Sequence, residues 1–201
     1  MKTGNRSRRT TLLGLLTAIL MVFSMTPLGY LNIGPLAISF NMIPVAIGAA
    51  ALGPVGGAIL GAVFGMTSFL QCLGIGGSSA MGVILFDINP LFAFIQRFVP
   101  RVTAGFLVGV IYQAARRFCK PGLAGSIAGF CAALLNTVLF MGALVLLFGN
   151  TQYLTDLIAG RNVIVFICTF VGVNAVAEML ATTAVTGALT AALERSGLLR
   201  R

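Results

Sequence analysis

The sequence predicts an all-α integral membrane protein, folded as one compact bundle of six transmembrane helices across residues 1–201. Hydrophobic residues make up 58% of the chain and charged residues only 8%, whereas a soluble domain carries about 25% charged residues. Apolar stretches long enough to cross a hydrocarbon core of about 30 Å recur along the chain. Because the spans and short connections use nearly all of the length, no separate soluble domain is predicted.

The first three predicted spans are close together in the sequence. The first covers about 11–31; its apolar run is too long for a signal-peptide core and no A-x-A cleavage site follows it, so we interpret it as an uncleaved helix. The second covers about 37–52 and begins after the Gly34-Pro35 break. The third covers about 54–72 and begins at Pro54, since proline favours the first position of a helix.

A long connection, 73–99, separates the first half of the bundle from the second. It begins with the glycine-rich stretch GIGGSS and contains the apolar piece AMGVILF and the turn DINP. The fourth span is predicted at about 100–117, beginning at Pro100, the fifth at about 121–149 and the sixth at about 162–194.

The basic residues predict the orientation of the bundle. Ten of the 13 Lys and Arg residues lie at the amino terminus, in the turn near 116–120 or at the carboxyl terminus. Since cytoplasmic segments of membrane proteins are enriched in Lys and Arg, both termini are predicted to be cytoplasmic. The net charge of +9 is therefore a topological signal rather than a nucleic-acid surface. The four cysteines show no CxxC spacing and the chain has no histidine, so neither disulfides nor a metal site are predicted.

Small residues recur every fourth position in two of the predicted spans. In lipid, such ridges allow helices to approach closely. The longer ridge lies in GPVGGAILGAVFG, and a shorter one lies in the first span; together they comprise Gly53, Gly57, Gly61 and Gly65, and Gly14 and Ala18. These ridges either pack within the bundle or dock a separate membrane protein, and the sequence leaves both interpretations open.

The sixth span carries a polar ridge with the same four-residue spacing, formed by Asn174, Glu178, Thr182, Thr186 and Thr190. An ionisable residue in the middle of a membrane span is unfavourable and is by default a candidate for a functional site. Asn174 and Glu178 are therefore candidate ligand-binding residues. The alternative is that the glutamate joins two helices by a hydrogen bond.

Further polar residues are predicted near the outer side. Asn136 lies in the fifth span, Asn41 at the outer end of the second and Gln71 at the outer end of the third. Arg97 and Arg101 stand one turn apart at the predicted start of the fourth span, where a helix amino terminus adds partial positive charge. Such a pair suits a carboxylate, although arginines can also extend towards lipid head groups. These residues predict an outward-open pocket for a small, polar, anionic ligand.

No energy source for transport is visible in the chain. It has no G-x-x-x-x-G-K-[ST] motif for ATP binding. One mid-membrane acid and no histidine also offer little for an ion-coupled relay. The pattern favours a binding subunit that is driven by a partner.

The chain resembles a known family, the substrate-binding S components of energy-coupling factor (ECF) vitamin transporters. The strongest match is LGYLNIGPLAISFNMIPVAIGAAALGPVGGAILGAVFGMTSF at 28–69. Further matches are VPRVTAGFLVGVIY at 99–112, LLNTVLFMGAL at 134–144, and the arrangement of Asn174 and Glu178. The LNTVLFMG and VPR segments are most similar to the pantothenate-specific members.

The resemblance implies a six-helix protein in a prokaryotic cell membrane that needs no cofactor. Its spans four to six and outer connections would hold the vitamin, and spans one to three would face a transmembrane coupling protein bound to two ATPases. ATP hydrolysis would then topple the loaded subunit, with the glycine ridge as its sliding face. Alternatives are the same role for another vitamin, riboflavin-like or other, or for another small anionic metabolite, and a self-sufficient carrier. An intramembrane enzyme is a further alternative. It would need a nucleophile–base pair or metal ligands in the spans, whereas the chain has no histidine and one mid-membrane acid.

Overall fold

The computed structural model describes residues 3–26, 30–32, 37–76, 79–158 and 163–197. This part of the chain forms eight α-helices and one two-stranded antiparallel hairpin. In chain order the elements are α1 (Thr3–Met25), β1 (Tyr30–Asn32), β2 (Ala37–Ser39), α2 (Met42–Leu52), α3 (Pro54–Leu70) with a 3-10 turn (Gln71–Leu73), α4 (Ala80–Ile88), α5 (Pro90–Ala115), α6 (Pro121–Phe148), α7 (Gln152–Ile158) and α8 (Val163–Arg195).

Within the described ranges, five helices are long and apolar enough to cross a membrane: α1, α3, α5, α6 and α8. The second predicted span is the short apolar helix α2, whose 11 residues extend about 16 Å and so fall short of a full bilayer core. It is nonetheless deeply buried, since Val45, Ala46 and Ala49 have no exposed surface. The chain is thus a helical, multi-pass membrane protein.

The prediction that the fourth helix begins at Pro100 is wrong, because α5 begins ten residues earlier, at Pro90. Asn89 caps this helix: its Oδ1 accepts a hydrogen bond from the backbone N–H of Phe92 at 3.1 Å. The sequence DINP therefore combines a cap and a first-position proline, while Pro100 lies inside the helix. Arg101 is consequently remote from the first turn, and the helix amino terminus adds no charge to it.

The first predicted span ends too late in the sequence, and the second begins too early. The first helix ends at Met25 instead of near residue 31, and the second begins at Met42 instead of near residue 37. Between them, β1 pairs with β2 in antiparallel register, with Tyr30 opposite Ser39. The Gly34-Pro35 break lies outside the described residues. The predicted ends of the fifth and sixth spans agree with α6 and α8 within one residue.

The predicted connection 73–99 is largely helical. AMGVILF forms most of α4, and the Ser79 Oγ caps it by accepting a hydrogen bond from the Gly82 N–H at 3.3 Å. An apolar cluster unites α4 with α5, α6 and α7; it consists of Leu85, Ala93, Met141, Leu144, Phe148 and Leu154. A larger cluster, with Leu20, Val45, Leu60, Phe64 and Val108 among its members, holds α1, α2, α3, α5 and α6 together.

The glycine ridge on α3 has an intramolecular partner, which is the antiparallel helix α5. A Cβ atom at Gly57 would overlap the carbonyl oxygen of Gly105, and one at Gly61 would overlap that of Arg101. At Gly65 it would lie 2.9 Å from the Cα of Phe98. Gly53 has a different role: its φ of 83° ends α2. The ridge therefore serves close packing within the bundle, and in this conformation it presents no open surface for docking.

The shorter ridge on α1 is open. Gly14 and Ala18 are both exposed, and a Cβ added at Gly14 would meet no atom of the described chain within 4 Å. Of the two ridges, this one is available to another protein.

The threonines of the polar ridge pack against glycines of α6. A Cβ at Gly129 would overlap the carbonyl oxygen of Thr182, and one at Gly125 would overlap the Oγ1 of Thr190. Thr190 also donates from Oγ1 to the carbonyl oxygen of Thr186 at 2.7 Å. The close contact between α8 and α6 therefore runs through Thr182, Thr186 and Thr190. The two helices are antiparallel, and this contact sets the position of Glu178 along the helix axis.

Candidate functional site

Arg97 and Arg101 form the centre of the site. Both are buried at 6% exposure, although they lie in a membrane-spanning helix. The Arg101 Nη1 donates to the backbone oxygen of Arg97 at 2.7 Å. The guanidinium carbon of Arg101 lies 4.8 Å from the ring centroid of Phe140, and that of Arg97 lies 5.3 Å from it. Since both side chains are enclosed by protein, the structure does not support the alternative in which they extend to lipid head groups.

Aromatic and hydroxyl groups hold the arginines in place. Arg101 also lies over Phe64 of α3, 4.5 Å from its centroid, and such desolvated cation–π contacts contribute about 2 kcal/mol. Arg97 donates from Nη1 to the Ser68 Oγ at 3.3 Å and from Nη2 to the Ser79 Oγ at 3.2 Å. Because Ser79 is also the cap of α4, one hydroxyl connects the arginine pair to the helix that follows the glycine-rich segment.

The antiparallel register of α5 and α6 brings Asn136 to the arginine pair. Ala93 packs in the same cluster as Leu144, and both arginines lie over Phe140. Arg101 lies one turn after Arg97 on α5, and Asn136 lies one turn before Phe140 on the same face of α6. Because the two helices are antiparallel, Asn136 is level with Arg101. Within the described chain, the buried Oδ1 of Asn136 has no hydrogen-bond partner. An available acceptor therefore lies beside the cationic groups.

Glu178 joins the site from α8. It is 8% exposed, and its Oε1 accepts a hydrogen bond from the backbone N–H of Ser39 at 2.5 Å. Its carboxylate also interacts electrostatically with Arg101. The glutamate therefore links α8 both to the β1–β2 hairpin, by a hydrogen bond, and to Arg101 of α5, by an electrostatic interaction. Asn174 precedes it by one turn on α8, near the level of Asn136, but its side chain lies outside the described residues.

Asn41 and Gln71, the other predicted ligand residues, contact Ser24 in a second polar cluster. The Ser24 Oγ donates to the Asn41 Oδ1 at 3.3 Å, and the Gln71 Nε2 donates to the Ser24 carbonyl oxygen at 2.6 Å. The Thr67 Oγ1 donates to the Ser24 Oγ at 3.2 Å. All four residues are buried. The cluster joins the ends of α1, α2 and α3, and it adjoins the arginine pair through Ser79, whose backbone N–H donates to the Gln71 carbonyl oxygen at 3.4 Å. A ligand role for Asn41 and Gln71 stays a prediction.

The charges of the site favour an anion. The buried charged residues of the described chain are Arg97, Arg101 and Glu178, which leaves one net positive charge. A net charge in a low-dielectric interior is unfavourable unless a ligand or partner compensates it. Among the described residues, no cluster of His, Cys, Asp or Glu could hold a metal ion. The arrangement of the two guanidinium groups can thus bind a carboxylate.

Several site residues were missed from the sequence alone. Phe64, Ser68, Ser79 and Gln96 were not selected, and neither was Phe140. Phe140 lies four residues after Asn136, a spacing that could have indicated a shared face. The sequence pattern does not single out Gln96, because it predicts a helix start at Pro100 and therefore places Gln96 in a connection.

Two comparisons relate the chain to known proteins. A family model for the substrate-specific component of ECF transporters matches residues 8–190. The chain is also similar to the pantothenic acid transporter PanT of Lactococcus lactis subsp. cremoris (strain MG1363), with 26% identity over 207 residues. That match covers 96% of this chain and 98% of the relative.

Proposed function

The chain belongs to the family of ECF transporter substrate-specific components, and from this premise we propose that it is the subunit that binds pantothenate for import. The observation that carries the proposal is the buried pair Arg97 and Arg101, beside Asn136 and Glu178. The name of the 26%-identical relative supports the choice of vitamin. The family comprises transport components and not enzymes, which agrees with a site built for binding.

The chemistry of pantothenate fits these residues. Its carboxylate would lie against the two guanidinium groups and compensate the net positive charge of the site. Arginine suits this role because its planar donors bind both carboxylate oxygens at once. The hydroxyl groups of the vitamin would satisfy Asn136 and Asn174, since each amide side chain can donate and accept.

The same premise supports a six-span topology with both termini in the cytoplasm, in which α2 is the short second span. Arg9 donates from Nη2 to the carbonyl oxygen of Leu52 at 2.9 Å, which places the amino terminus beside the α2–α3 turn. Arg116 forms a 2.9 Å salt bridge with Glu194, which joins the ends of α5 and α8. These basic ends fit a cytoplasmic face, and only an even number of spans brings both termini to it.

Family membership also implies an ECF module as partner. We propose that the chain works with a transmembrane coupling protein and two ATPases in a prokaryotic cell membrane. The exposed Gly14 and Ala18 of α1 are the docking contact that we favour, because Gly57, Gly61 and Gly65 are already covered by α5. ATP hydrolysis in the module would drive reorientation of the loaded subunit.

The direct test is calorimetric titration of the purified protein in detergent. Pantothenate should bind in a saturable manner, whereas riboflavin and unrelated small carboxylates should not. If the protein binds another vitamin tightly and does not bind pantothenate, the role as a substrate-binding subunit stands and the assignment of pantothenate as its ligand is wrong. Vesicles that hold this subunit alone should bind pantothenate without accumulating it; rapid accumulation would instead indicate a self-sufficient carrier.

A further inference from the structure

Gln96 is a fully buried amide in the second turn of the membrane helix α5. It has no exposed surface, and neither its Oε1 nor its Nε2 has a hydrogen-bond partner among the residues that the structure describes. An amide in this position is unfavourable in lipid-embedded protein unless something satisfies it. The residue therefore needs a partner that the described chain does not supply.

Pro100 leaves a third polar group of Gln96, its backbone carbonyl oxygen, without the usual helical donor. In an α-helix, the carbonyl oxygen of residue 96 would accept from the N–H of residue 100. Pro100 lies inside α5 and has no N–H, so the Gln96 carbonyl oxygen loses its donor within the helix. A carbonyl freed in this way inside a membrane is satisfied by neighbouring side chains, by ordered water or by local adjustment of the helix, so it is a further acceptor that a bound molecule can use.

These groups lie beside the proposed ligand site. Gln96 precedes Arg97 directly, and it shares a helix face with Ala93 and Pro100, three residues before it and four after it. Ala93 packs on α6 with Met141 and Leu144, while Arg97 lies over Phe140 of the same helix. Gln96 is therefore placed at the α5–α6 contact, next to the groups assigned to the carboxylate.

We propose that Gln96 is a specificity residue that recognises the secondary amide of the ligand. A primary amide side chain complements a secondary amide, since its Oε1 accepts from the N–H and its Nε2 donates to the carbonyl oxygen. In pantothenate only two methylene groups separate this amide from the carboxylate, so the residue that recognises the amide has to lie close to the arginine pair, and Gln96 directly precedes Arg97. The inference rests on the proposed function and adds to it the group that is recognised.

The test compares pantothenate with its ester analogue, in which an oxygen replaces the amide N–H. The ester should bind wild-type protein about 10- to 100-fold more weakly, because the Gln96 Oε1 is left without a donor. Gln96→Met keeps the shape but removes both polar atoms, so it should bind the two ligands within about threefold of each other. Asn136→Leu is the matched control: it should weaken both ligands and keep the preference for the amide.

The outcomes separate the inference from the proposed function. If Gln96→Met retains the wild-type preference for the amide, or if wild-type protein binds amide and ester equally, the role of Gln96 is overturned and pantothenate binding stands. If wild-type protein does not bind pantothenate, the ligand is wrong and this inference falls with it. Thermal melting in detergent checks that the variant is folded, and Gln96→Leu replaces it should it not purify.

Discussion

Arg101 donates a hydrogen bond from its Nη1 to the carbonyl oxygen of Arg97, one turn earlier on the same helix, at 2.7 Å. The bond turns the second guanidinium back towards the first, and both lie over the ring of Phe140. Two like charges at close range repel in a low-dielectric interior. Glu178 interacts electrostatically with Arg101, and in the proposed complex the ligand carboxylate would lie against the same two guanidinium groups.

The first prediction follows from this pair. Arg101→Ala should weaken pantothenate binding by about 2–5 kcal/mol, since it removes a charge-assisted contact in a desolvated site. Titration calorimetry in detergent measures the change. Arg117→Ala is the control, because Arg117 is exposed at the end of α5 and should bind as the wild type does. Unchanged affinity in Arg101→Ala would show that the ligand carboxylate does not bind at Arg101.

The second prediction concerns the packing of α3 on α5. Gly61→Ala should destabilise the protein by about 1–3 kcal/mol, because the added methyl group overlaps the Arg101 carbonyl oxygen and forces the helices apart. Gly14→Ala is the matched control in the open ridge and should have no such effect. Thermal melting of both variants in detergent makes the comparison. Equal melting temperatures would show that the α3–α5 contact is looser than described.

Docking to the coupling module gives the third prediction. Gly14→Leu should fold and bind pantothenate normally, since nothing in the described chain occupies that space. Uptake by cells or vesicles that contain the whole ECF module should fall strongly, because a leucine there would hold a partner helix away. Normal uptake would show that the module docks elsewhere.

Long apolar runs and their breaks were sufficient to predict most of the helices. Pro121 and the apolar residues that follow it fixed α6, because proline at a helix start and lipid-length hydrophobicity are local signals. Pro100 misled the prediction for α5, since neighbouring packing rather than local preference decides whether a proline is tolerated inside a helix. The hairpin between α1 and α2 was missed because two strands of three residues give too short a pattern.

The candidate site was only partly predictable for a related reason. Arg97, Arg101 and Glu178 stand out in sequence because charges are rare in membrane spans. Asn41 and Gln71 stand out equally, yet both form hydrogen bonds with Ser24 that connect the ends of α1, α2 and α3. What separates the two groups is the three-dimensional register of α5, α6 and α8, which depends on glycine contacts such as that of Gly129 with Thr182.

The last prediction concerns Asn136 as the neutral part of the ligand site. Its Oδ1 is buried without a partner among the described residues, and a buried acceptor that is left unsatisfied costs about 1–3 kcal/mol. Asn136→Leu removes that penalty and fills similar space. It should therefore leave the melting temperature of the ligand-free protein unchanged or raised, while weakening pantothenate binding by about tenfold or more, since the ligand hydroxyl loses its partner. Melting and calorimetry on one preparation test both halves. Wild-type affinity together with a lowered melting temperature would mean that Asn136 supports the α5–α6 contact and that the ligand lies elsewhere.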